Sequence, residues 1–344
     1  DLKGTIIALK LETELFAIAF EDEIMQILNS DKLKNENPLI YEVFIARKDI
    51  IAVIRICPKF CAEAAEKNRD IPPVLDDMAQ IVGVKARVCG EVEHKKIVNV
   101  LKKNNACLIK GIDSADSGAI MVGRTLEHAF ATTLILEKSA QAYIEGEYIG
   151  GARYMNSLTA WIFHKSYNLS YSKKDEEIKS QTECDIPRSI PNDEFLKRKE
   201  IIEFGKKLSE ENLVQGTWGN ISVRLDDRYM LVTPSGLAYS RLTPYDIVRV
   251  DIYTLDYEGK LKPTSEKGMH AALLVGNPDF NCIIHSHPIN CSVFAAARKP
   301  FPVQNAAEAA LIGKEAGYAK AAIPGTKLLV HTVVETIKPG ICAC

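Results

Sequence analysis

The sequence lacks the features typical of membrane-spanning, secreted or nucleic-acid-binding chains. Its longest apolar runs, such as residues 49–54, are far too short to cross a bilayer. No basic segment followed by an apolar one opens the chain as a signal peptide would. Lys and Arg are scattered around a formal net charge of −2, without a basic stripe. We therefore expect a cytoplasmic location and no nucleic-acid or membrane partner.

Paired cysteine motifs are also missing. The chain has nine Cys but no C-x-x-C pair. Four of the nine lie in apolar or strand-like contexts, which predicts buried free thiols in a reducing compartment: Cys57, Cys61, Cys89 and Cys107. Cys342 and Cys344 are one residue apart, and with no second pair nearby they are a weak indication of a metal site.

The length and composition of the chain favour a two-domain globular protein. A chain of 344 residues accommodates two domains, and 47% hydrophobic with 26% charged residues is an ordinary globular composition. Residues 170–192 are polar and contain Pro187 and Pro191, which is typical of a linker. We predict a first domain over 1–165, a linker over 166–192 and a second domain over 193–344.

Hydrophobic periodicity predicts helices and strands in both halves. A helix is expected over 124–145, with Leu126, Phe130, Leu134 and Ala140 on one face. A second helix begins with Asn192 or Asp193 as its N-cap and runs to Leu208. After residue 216, strands are predicted at 221–224, 229–232, 246–251 and 281–284, the last one buried, and helices at 269–275, 306–316 and 326–337. Such mixed elements predict a layered α/β or α+β domain.

The two halves share an order of elements. Residues 45–58 line up with 275–288, each with a helix end, an Asp, a strand and a Pro. Farther on, 98–107 line up with 333–342. A single repeat of such long period indicates a duplicated domain.

The pair His285 and His287 is the sharpest chemical feature. In a strand, residues i and i+2 point to the same face, so the two imidazoles are well placed to bind one metal ion. The alternative is two half-exposed His side chains at a strand end without a ligand.

Three small-residue turns precede this pair, at residues 216–222, 233–236 and 264–266. Their backbone amides and hydroxyls are groups that cradle anions. Each turn alone is typical of an ordinary loop. Together, and followed by the two His, they favour an anion-binding site.

These motifs, Gly-Thr-Trp-Gly-Asn-Ile-Ser, Thr-Pro-Ser-Gly, Lys-Pro-Thr-Ser-Glu, Met-His and His-Ser-His-Pro, occur in the order seen in the class II aldolase/adducin family. Residues 195–344 resemble that family, which includes fuculose-phosphate and rhamnulose-phosphate aldolases and ribulose-phosphate 4-epimerase. Residues 38–150 resemble it more weakly. The resemblance implies a duplicated α/β fold, each copy a three-layer α/β/α domain with a central, largely antiparallel sheet, the first copy degenerate.

The resemblance also implies functional residues. The substrate phosphate would be bound by Gly219, Asn220, Ser235, Gly236, Thr264 and Ser265. Zn²⁺, or another divalent metal, would be held by His285 and His287, and Glu266 would be the acid/base residue that also touches the metal when no substrate is present. His270 is expected to pack or orient the site. Zinc would act as a Lewis acid on the substrate carbonyl.

The implied activity is an aldehyde-lyase of carbohydrate metabolism, such as pentose catabolism. It cleaves a ketose phosphate to dihydroxyacetone phosphate and an aldehyde, in a homo-oligomer. Two alternatives stay open: a sugar-phosphate 4-epimerase, with which Trp218 is compatible, and a non-catalytic adducin-like binding module.

Departures from the family pattern limit these expectations. Its third zinc His follows a strand in an Asn-His-Gly motif, which the repeat would put about five to ten residues beyond Cys344. We therefore expect the second domain to be C-terminally incomplete and poorly active as it stands. The Tyr that some family aldolases use as an acid is not apparent, because residues 301–306 occupy its region.

In the first domain, the positions of the three His hold Arg55, Cys57 and Ser117, and Glu36 stands where the acid/base residue belongs. That domain is expected to be catalytically silent. The remaining His residues are interpreted as surface or helix residues: His94, His128, His164 and His331.

Overall fold

A computed structural model describes residues 5–21, 23–113, 116–179, 190–320, 322 and 325–337, without the side chains of 170–179. The chain divides into two compact units, Asp1–Thr182 and Glu183–Cys344. Within the described ranges, no helix combines the length and the hydrophobicity needed to cross a membrane. Each unit is a mixed α/β structure built on its own sheet.

The first unit has a seven-stranded sheet. Its strands are β1 (Ile6–Lys10), β2 (Leu15–Phe20), β3 (Gln26–Asn29), β4 (Ala52–Ile56), β5 (Val88–Gly90), β6 (Ala106–Lys110) and β7 (Gly118–Gly123). They lie in the order β3-β2-β1-β4-β7-β6-β5. Only β5 and β6 pair in parallel, so the sheet is largely antiparallel as predicted.

The described residues of this unit also form six α-helices: α1 (Ser30–Glu36), α2 (Pro38–Ala46), α3 (Lys59–Glu66), α4 (His94–Leu101), α5 (Leu126–Gly146) and α6 (Ser157–Lys179). A π-helical turn over Met78–Val82 packs against α6. The predicted helix at 124–145 is confirmed as α5, but its buried face is different: Ala129 and Leu136 are fully buried, whereas Leu126 and Phe130 are exposed.

Part of the predicted linker is helical. Residues 166–179 continue α6, while residues 180–189 lie outside the described residues. The polar composition that suggested a linker is equally compatible with one exposed helix, since charged residues have good helix propensity. The division between Thr182 and Glu183 falls inside the predicted linker.

The second unit has a four-stranded antiparallel sheet in the order β10-β9-β8-β11 and a separate pair of two-residue strands. The strands are β8 (Asn220–Arg224), β9 (Tyr229–Val232), β10 (Val248–Asp251), β11 (Cys282–His285), β12 (Phe301–Pro302) and β13 (Glu315–Ala316). The helices are α7 (Asn192–Glu210), α8 (Lys267–Gly276), α9 (Ile289–Ala297), α10 (Ala306–Ile312) and α11 (Lys327–Ile337).

Most predicted elements of this unit are confirmed, with local corrections. The β8–β9 hairpin turns where predicted, because the Asp226 carboxylate accepts hydrogen bonds from the amides of Arg228 and Tyr229. The helix predicted over 306–316 ends at Ile312, and Glu315 belongs to β13. Pro191, rather than Asn192 or Asp193, is the N-cap of α7. Finally, β11 is half exposed instead of buried.

The two units share their strand arrangement. In the first unit β1 pairs antiparallel with β4, with Ile6 opposite Arg55. In the second unit β8 pairs antiparallel with β11, with Asn220 opposite His285. The orders β3-β2-β1-β4 and β10-β9-β8-β11 therefore correspond strand by strand, which supports the predicted duplication.

The Cys and His predictions have mixed outcomes. Cys61, Cys89 and Cys107 are buried free thiols as predicted, and Cys57 is half-buried, whereas Cys342 and Cys344 lie outside the described residues. His331 lies on the exposed face of α11 as predicted. His128 and His164 lie on helices as predicted, and both are buried there.

Candidate functional site

The second and third small-residue turns lie side by side. Pro234 and Pro263 form an isolated β-bridge. The Thr264 amide donates to the Thr233 carbonyl at 3.1 Å, and the Ser235 amide donates to the Lys262 carbonyl at 2.9 Å. The pairing brings the two turns together, and it uses the Ser235 amide, which the sequence suggested would be free.

The first turn reaches the His strand through Gly219. This glycine has φ +83°, a conformation that disfavours side chains. A Cβ there would lie 2.9 Å from the His285 carbonyl oxygen and 2.5 Å from the Val214 Cγ1. Because of this close approach, the next residue, Asn220, enters β8 directly opposite His285.

Three backbone amides of these turns remain available. Within the described part of the chain, the amides of Gly219, Gly236 and Ser265 donate to no protein acceptor. Thr264 is buried, while Ser265 and Gly236 are exposed. Exposed amides beside hydroxyls are suited to binding an anion such as phosphate.

Glu266 connects the turns with the His pair. It is the N-cap residue of α8 and is 9% exposed. Its Oε2 accepts a hydrogen bond from Asn220 Nδ2 at 2.8 Å and lies 2.5 Å from His285 Nδ1. Burial opposes ionisation, but the charge and hydrogen bond of His285, together with Asn220, outweigh it and hold the pKa of Glu266 at about 2. Glu266 is therefore an ionised carboxylate at neutral pH.

His270 supports Asn220 from the opposite side. It is fully buried on α8, with Nε2 2.5 Å from Asn220 Oδ1 and Nδ1 2.7 Å from Ser222 Oγ. Because Asn Oδ1 only accepts, His270 Nε2 carries the proton and Nδ1 accepts from the Ser222 hydroxyl. Burial, and then the charge of His285, lower the pKa of His270 to about 3. The neutral ring thus orients the Asn220 amide toward Glu266, as expected of a positioning residue.

Sequence reasoning missed Ser222. Its oxygen closes the chain of hydrogen bonds Ser222–His270–Asn220–Glu266–His285. A signal for it was present, since Ser222 is two residues after Asn220 in a strand and therefore shares its face. Its partner on α8 depends on how the helix packs on the sheet, which no local pattern gives.

His285 and His287 stand together at the end of β11. Their ring centroids are 4.7 Å apart and their planes are inclined by 42°. With His285 Nδ1 directed at Glu266, its Nε2 is the nitrogen left for a ligand. Two imidazoles beside a carboxylate are donors that Zn²⁺ accepts, so these residues fit a metal. The described residues nevertheless contain no group of three or more His, Cys, Asp or Glu arranged to hold one.

The corresponding positions of the first unit are arranged differently. Arg55 forms an ion pair with Glu91, and Ser117 is buried, with its hydroxyl accepting from the Gly111 amide at 3.2 Å. Glu36 lies on the exposed surface of α1, 3.9 Å from Lys32. This end of the first unit therefore presents a guanidinium where the second presents imidazoles.

Comparisons with known proteins identify sugar-phosphate aldolases and an epimerase as relatives. An L-fuculose phosphate aldolase of Escherichia coli O6:H1 is 36% identical over 140 residues, covering 41% of this chain and 64% of that protein. A probable L-ribulose-5-phosphate 4-epimerase of Mycoplasma pneumoniae is 34% identical over 108 residues, covering 30% of this chain and 44% of the relative. A solved L-fuculose 1-phosphate aldolase matches with a TM-score of 0.40 and 34% identity, over 42% of this chain and 70% of that one.

The chain thus spans 64% of the length of the aldolase it matches. The family described as "Class II Aldolase and Adducin N-terminal domain" matches both halves, over residues 8–144 and 199–344. These two regions make up most of the chain, and they correspond to the two units with their shared strand order. The chain therefore belongs to the class II aldolase and adducin N-terminal domain family.

Proposed function

We propose that this chain is a zinc-dependent aldolase that cleaves a ketose phosphate to dihydroxyacetone phosphate and an aldehyde. The observation that carries the proposal is the position of Glu266, in contact with Asn220 on one side and His285 on the other. One ionised carboxylate lies next to two potential metal-binding imidazoles and close to the small-residue turns.

Cleavage requires the controlled movement of protons. As the carbon–carbon bond breaks, the hydroxyl of the aldehyde half loses a proton, and the carbon of the other half gains one. Glu266 is the group proposed to move a proton, because it is a carboxylate held between Asn220 and His285. The amide of Asn220 holds its Oε2 in place, and buried His270 holds Asn220.

The metal would be held by His285 and His287, with Glu266 as a further ligand when no substrate is present. A divalent ion bound there supplies Lewis-acid polarisation of the substrate carbonyl. The contribution of the protein is to keep both rings at one strand end and to direct His285 Nδ1 to the carboxylate.

The phosphate is proposed to bind at the three turns, through Gly219, Asn220, Ser235, Gly236, Thr264 and Ser265. The unpaired amides of Gly219, Gly236 and Ser265 support this assignment. Binding the inert phosphate end would position the reacting carbons relative to Glu266.

A product assay tests the proposal. The zinc-loaded protein is incubated with a panel of ketose 1-phosphates, including L-fuculose 1-phosphate, and dihydroxyacetone phosphate is measured with a coupled reductase. Release of dihydroxyacetone phosphate that stops on zinc chelation supports the aldolase. A zinc-loaded protein that releases none from any sugar would contradict it.

A 4-epimerase is the second candidate, favoured by the relative from Mycoplasma pneumoniae. Trp218, whose amide donates to the Gln215 carbonyl at 3.1 Å, lies in the first turn and is compatible with it. Chromatography of a pentulose 5-phosphate after incubation distinguishes the two, since an epimerase inverts one carbon without releasing a triose. A protein that binds no zinc at all would favour the non-catalytic binding module.

The architecture and assembly belong to the same proposal. We propose a silent first domain over 1–165, a catalytic second domain over 193–344, and a three-layer arrangement in each. A homo-oligomer in the cytosol follows from the family resemblance. Light scattering of the purified chain measures the oligomeric state directly.

A further inference from the structure

The first unit contains a large basic basin that the proposed aldolase chemistry does not use. Its volume is about 1290 Å³, and nine Lys or Arg side chains line it with a single carboxylate, Asp49. The chain as a whole is slightly acidic, with a net charge of −2. The positive charge is therefore concentrated here by the fold and is not a consequence of composition.

Strand topology explains why these charges converge. Arg47 and Asp49 precede β4, Arg87 precedes β5, and Arg124 follows β7. Because β7 is antiparallel to β4 and β6, and β5 is parallel to β6, all of these positions lie at one end of the sheet. Arg55 lies at the opposite end of β4, so the basin is separate from the position that corresponds to the His pair.

Several of the cations have no compensating carboxylate. Arg47 is bound by Asp49 at 2.7 Å, Lys85 lies 3.5 Å from Asp70, and Lys96 lies 3.0 Å from Glu93. Five other lining cations form no ion pair with any described residue: Arg87, Lys95, Lys102, Lys103 and Lys165. The remaining one, Arg124, contacts the Asn168 carbonyl. Like charges held together in this way repel one another and favour binding of an anion.

Helix stability does not account for this placement. Lys102 and Lys103 follow the C-terminus of α4, where cations are favourable. Lys95 and Lys96 are in the first turn of the same helix, where a positive charge opposes the helix dipole, and the N-cap residue Glu93 pairs with Lys96 but not with Lys95. A cluster that includes the unfavourable end of the helix is better explained by a ligand.

The basin also offers an aromatic surface. Trp161 on α6 lines it and is 50% exposed. An exposed indole is a surface on which planar rings stack. Asn99, Asn104 and Asn168 add polar groups to the lining.

We propose that this basin binds a nucleoside di- or triphosphate, with its phosphates among the lysines and its base at Trp161. Several uncompensated cations match a polyphosphate better than a monophosphate. The volume exceeds the range typical of small-molecule sites, roughly 300–1,000 Å³, and so accommodates a nucleotide with water. The limited volume of the basin favours a small ligand over an extended nucleic acid.

Calorimetric titration with ATP and with inorganic tripolyphosphate tests the proposal, in buffer containing excess Mg²⁺. Lys102→Gln/Lys103→Gln should raise the Kd of both ligands on the order of tenfold or more, since each charge-assisted contact is substantial. Lys34→Gln/Lys206→Gln is the matched control, because it removes the same charge from exposed lysines outside the basin. It should leave both affinities nearly unchanged.

Trp161→Ala tests the contribution of base stacking to affinity separately from that of the phosphate contacts. It should weaken ATP about tenfold and leave tripolyphosphate unaffected, because only ATP carries a base. Absence of ATP binding at millimolar concentration, or equal losses in the control variant, would overturn the proposal. So would tighter binding of a single-stranded oligonucleotide through the same lysines, which would assign the basin to nucleic acid.

Discussion

Strands β4 and β11 occupy the same place in the two units but differ in their neighbours. β4 pairs with β1 on one side and β7 on the other. In the described part of the second unit, β11 pairs only with β8. Ile54 in β4 is accordingly 4% exposed, whereas Ile284, at the corresponding position of β11, is 49% exposed.

The difference shows that one sequence pattern has two structural outcomes. Both strands follow an Asp and precede a Pro, and each contains two consecutive Val or Ile residues. The pattern predicts a strand in each case, but burial depends on whether a second neighbour covers it. In the first unit the strand that carries the Arg has a neighbour on both sides. The second unit has instead the two imidazoles and the carboxylate.

The largest expected effect concerns the metal. His287→Ala should reduce bound zinc to almost none, because it removes one of the two imidazoles proposed to hold the ion. The matched variant is Cys57→Ala, at the corresponding position of the first unit, which should leave the zinc content unchanged. Elemental analysis after dialysis measures both, and full zinc in His287→Ala would remove this residue from the site.

The second prediction compares Glu266 with its counterpart Glu36. Glu266→Gln should lower kcat about 10²–10⁴-fold with a much smaller change in KM, because loss of general acid–base help has that size. Glu36→Gln, on the exposed surface of α1, should have no effect. Steady-state kinetics of dihydroxyacetone phosphate release provide the measurement. Near-normal turnover of Glu266→Gln would show that another group moves the proton.

A third prediction makes the same substitution in both strands. Ile54→Ala should reduce the free energy of unfolding by about 2–5 kcal/mol, since it empties a buried site. Ile284→Ala should change it by less than about 1 kcal/mol, because half of that side chain is already exposed. Thermal unfolding followed by circular dichroism compares them. Equal shifts in Tm would mean that β11 is covered as fully as β4.

The smallest expected effect is a pH dependence in the first unit. Burial, followed by the charges of Arg124 and Arg47, lowers the pKa of His128 from 6.5 to about 4. Between pH 6.5 and 4 the unfolded chain therefore binds a proton that the folded chain does not. The free energy of unfolding should fall as pH is lowered through this window, by at most about 1.4 kcal/mol per unit.

The test replaces His128 by Gln and follows urea unfolding at pH 7, 6 and 5. The slope of stability against pH should become shallower in His128→Gln. In His94→Gln, on the half-buried start of α4, the slope should persist. An unchanged slope in His128→Gln would show that His128 does not contribute this linkage.

Much of the second unit could be predicted from local sequence. The β8–β9 hairpin follows from alternation and the Asp turn, and the strand that ends at His285 follows from its apolar residues. His287 lies two residues beyond the end of β11, so strand alternation does not explain its position. The helical end of the predicted linker could not be recognised, since its polar residues fit a helix and a linker equally well. The buried face of α5 was also mispredicted, because Leu126 and Phe130 are exposed.

By itself, the sequence determined the elements, the duplication, the family and the candidate residues of the His pair and the turns. These depend on the period of the backbone and on residue types at short spacing, both of which are local properties. Only the tertiary structure decided that Ser222, His270 and Asn220 align Glu266 with His285, that β11 is a half-exposed strand, and that scattered lysines form one basin. Each of these depends on strand order and helix packing between residues far apart in the chain, which short-range periodicity does not specify.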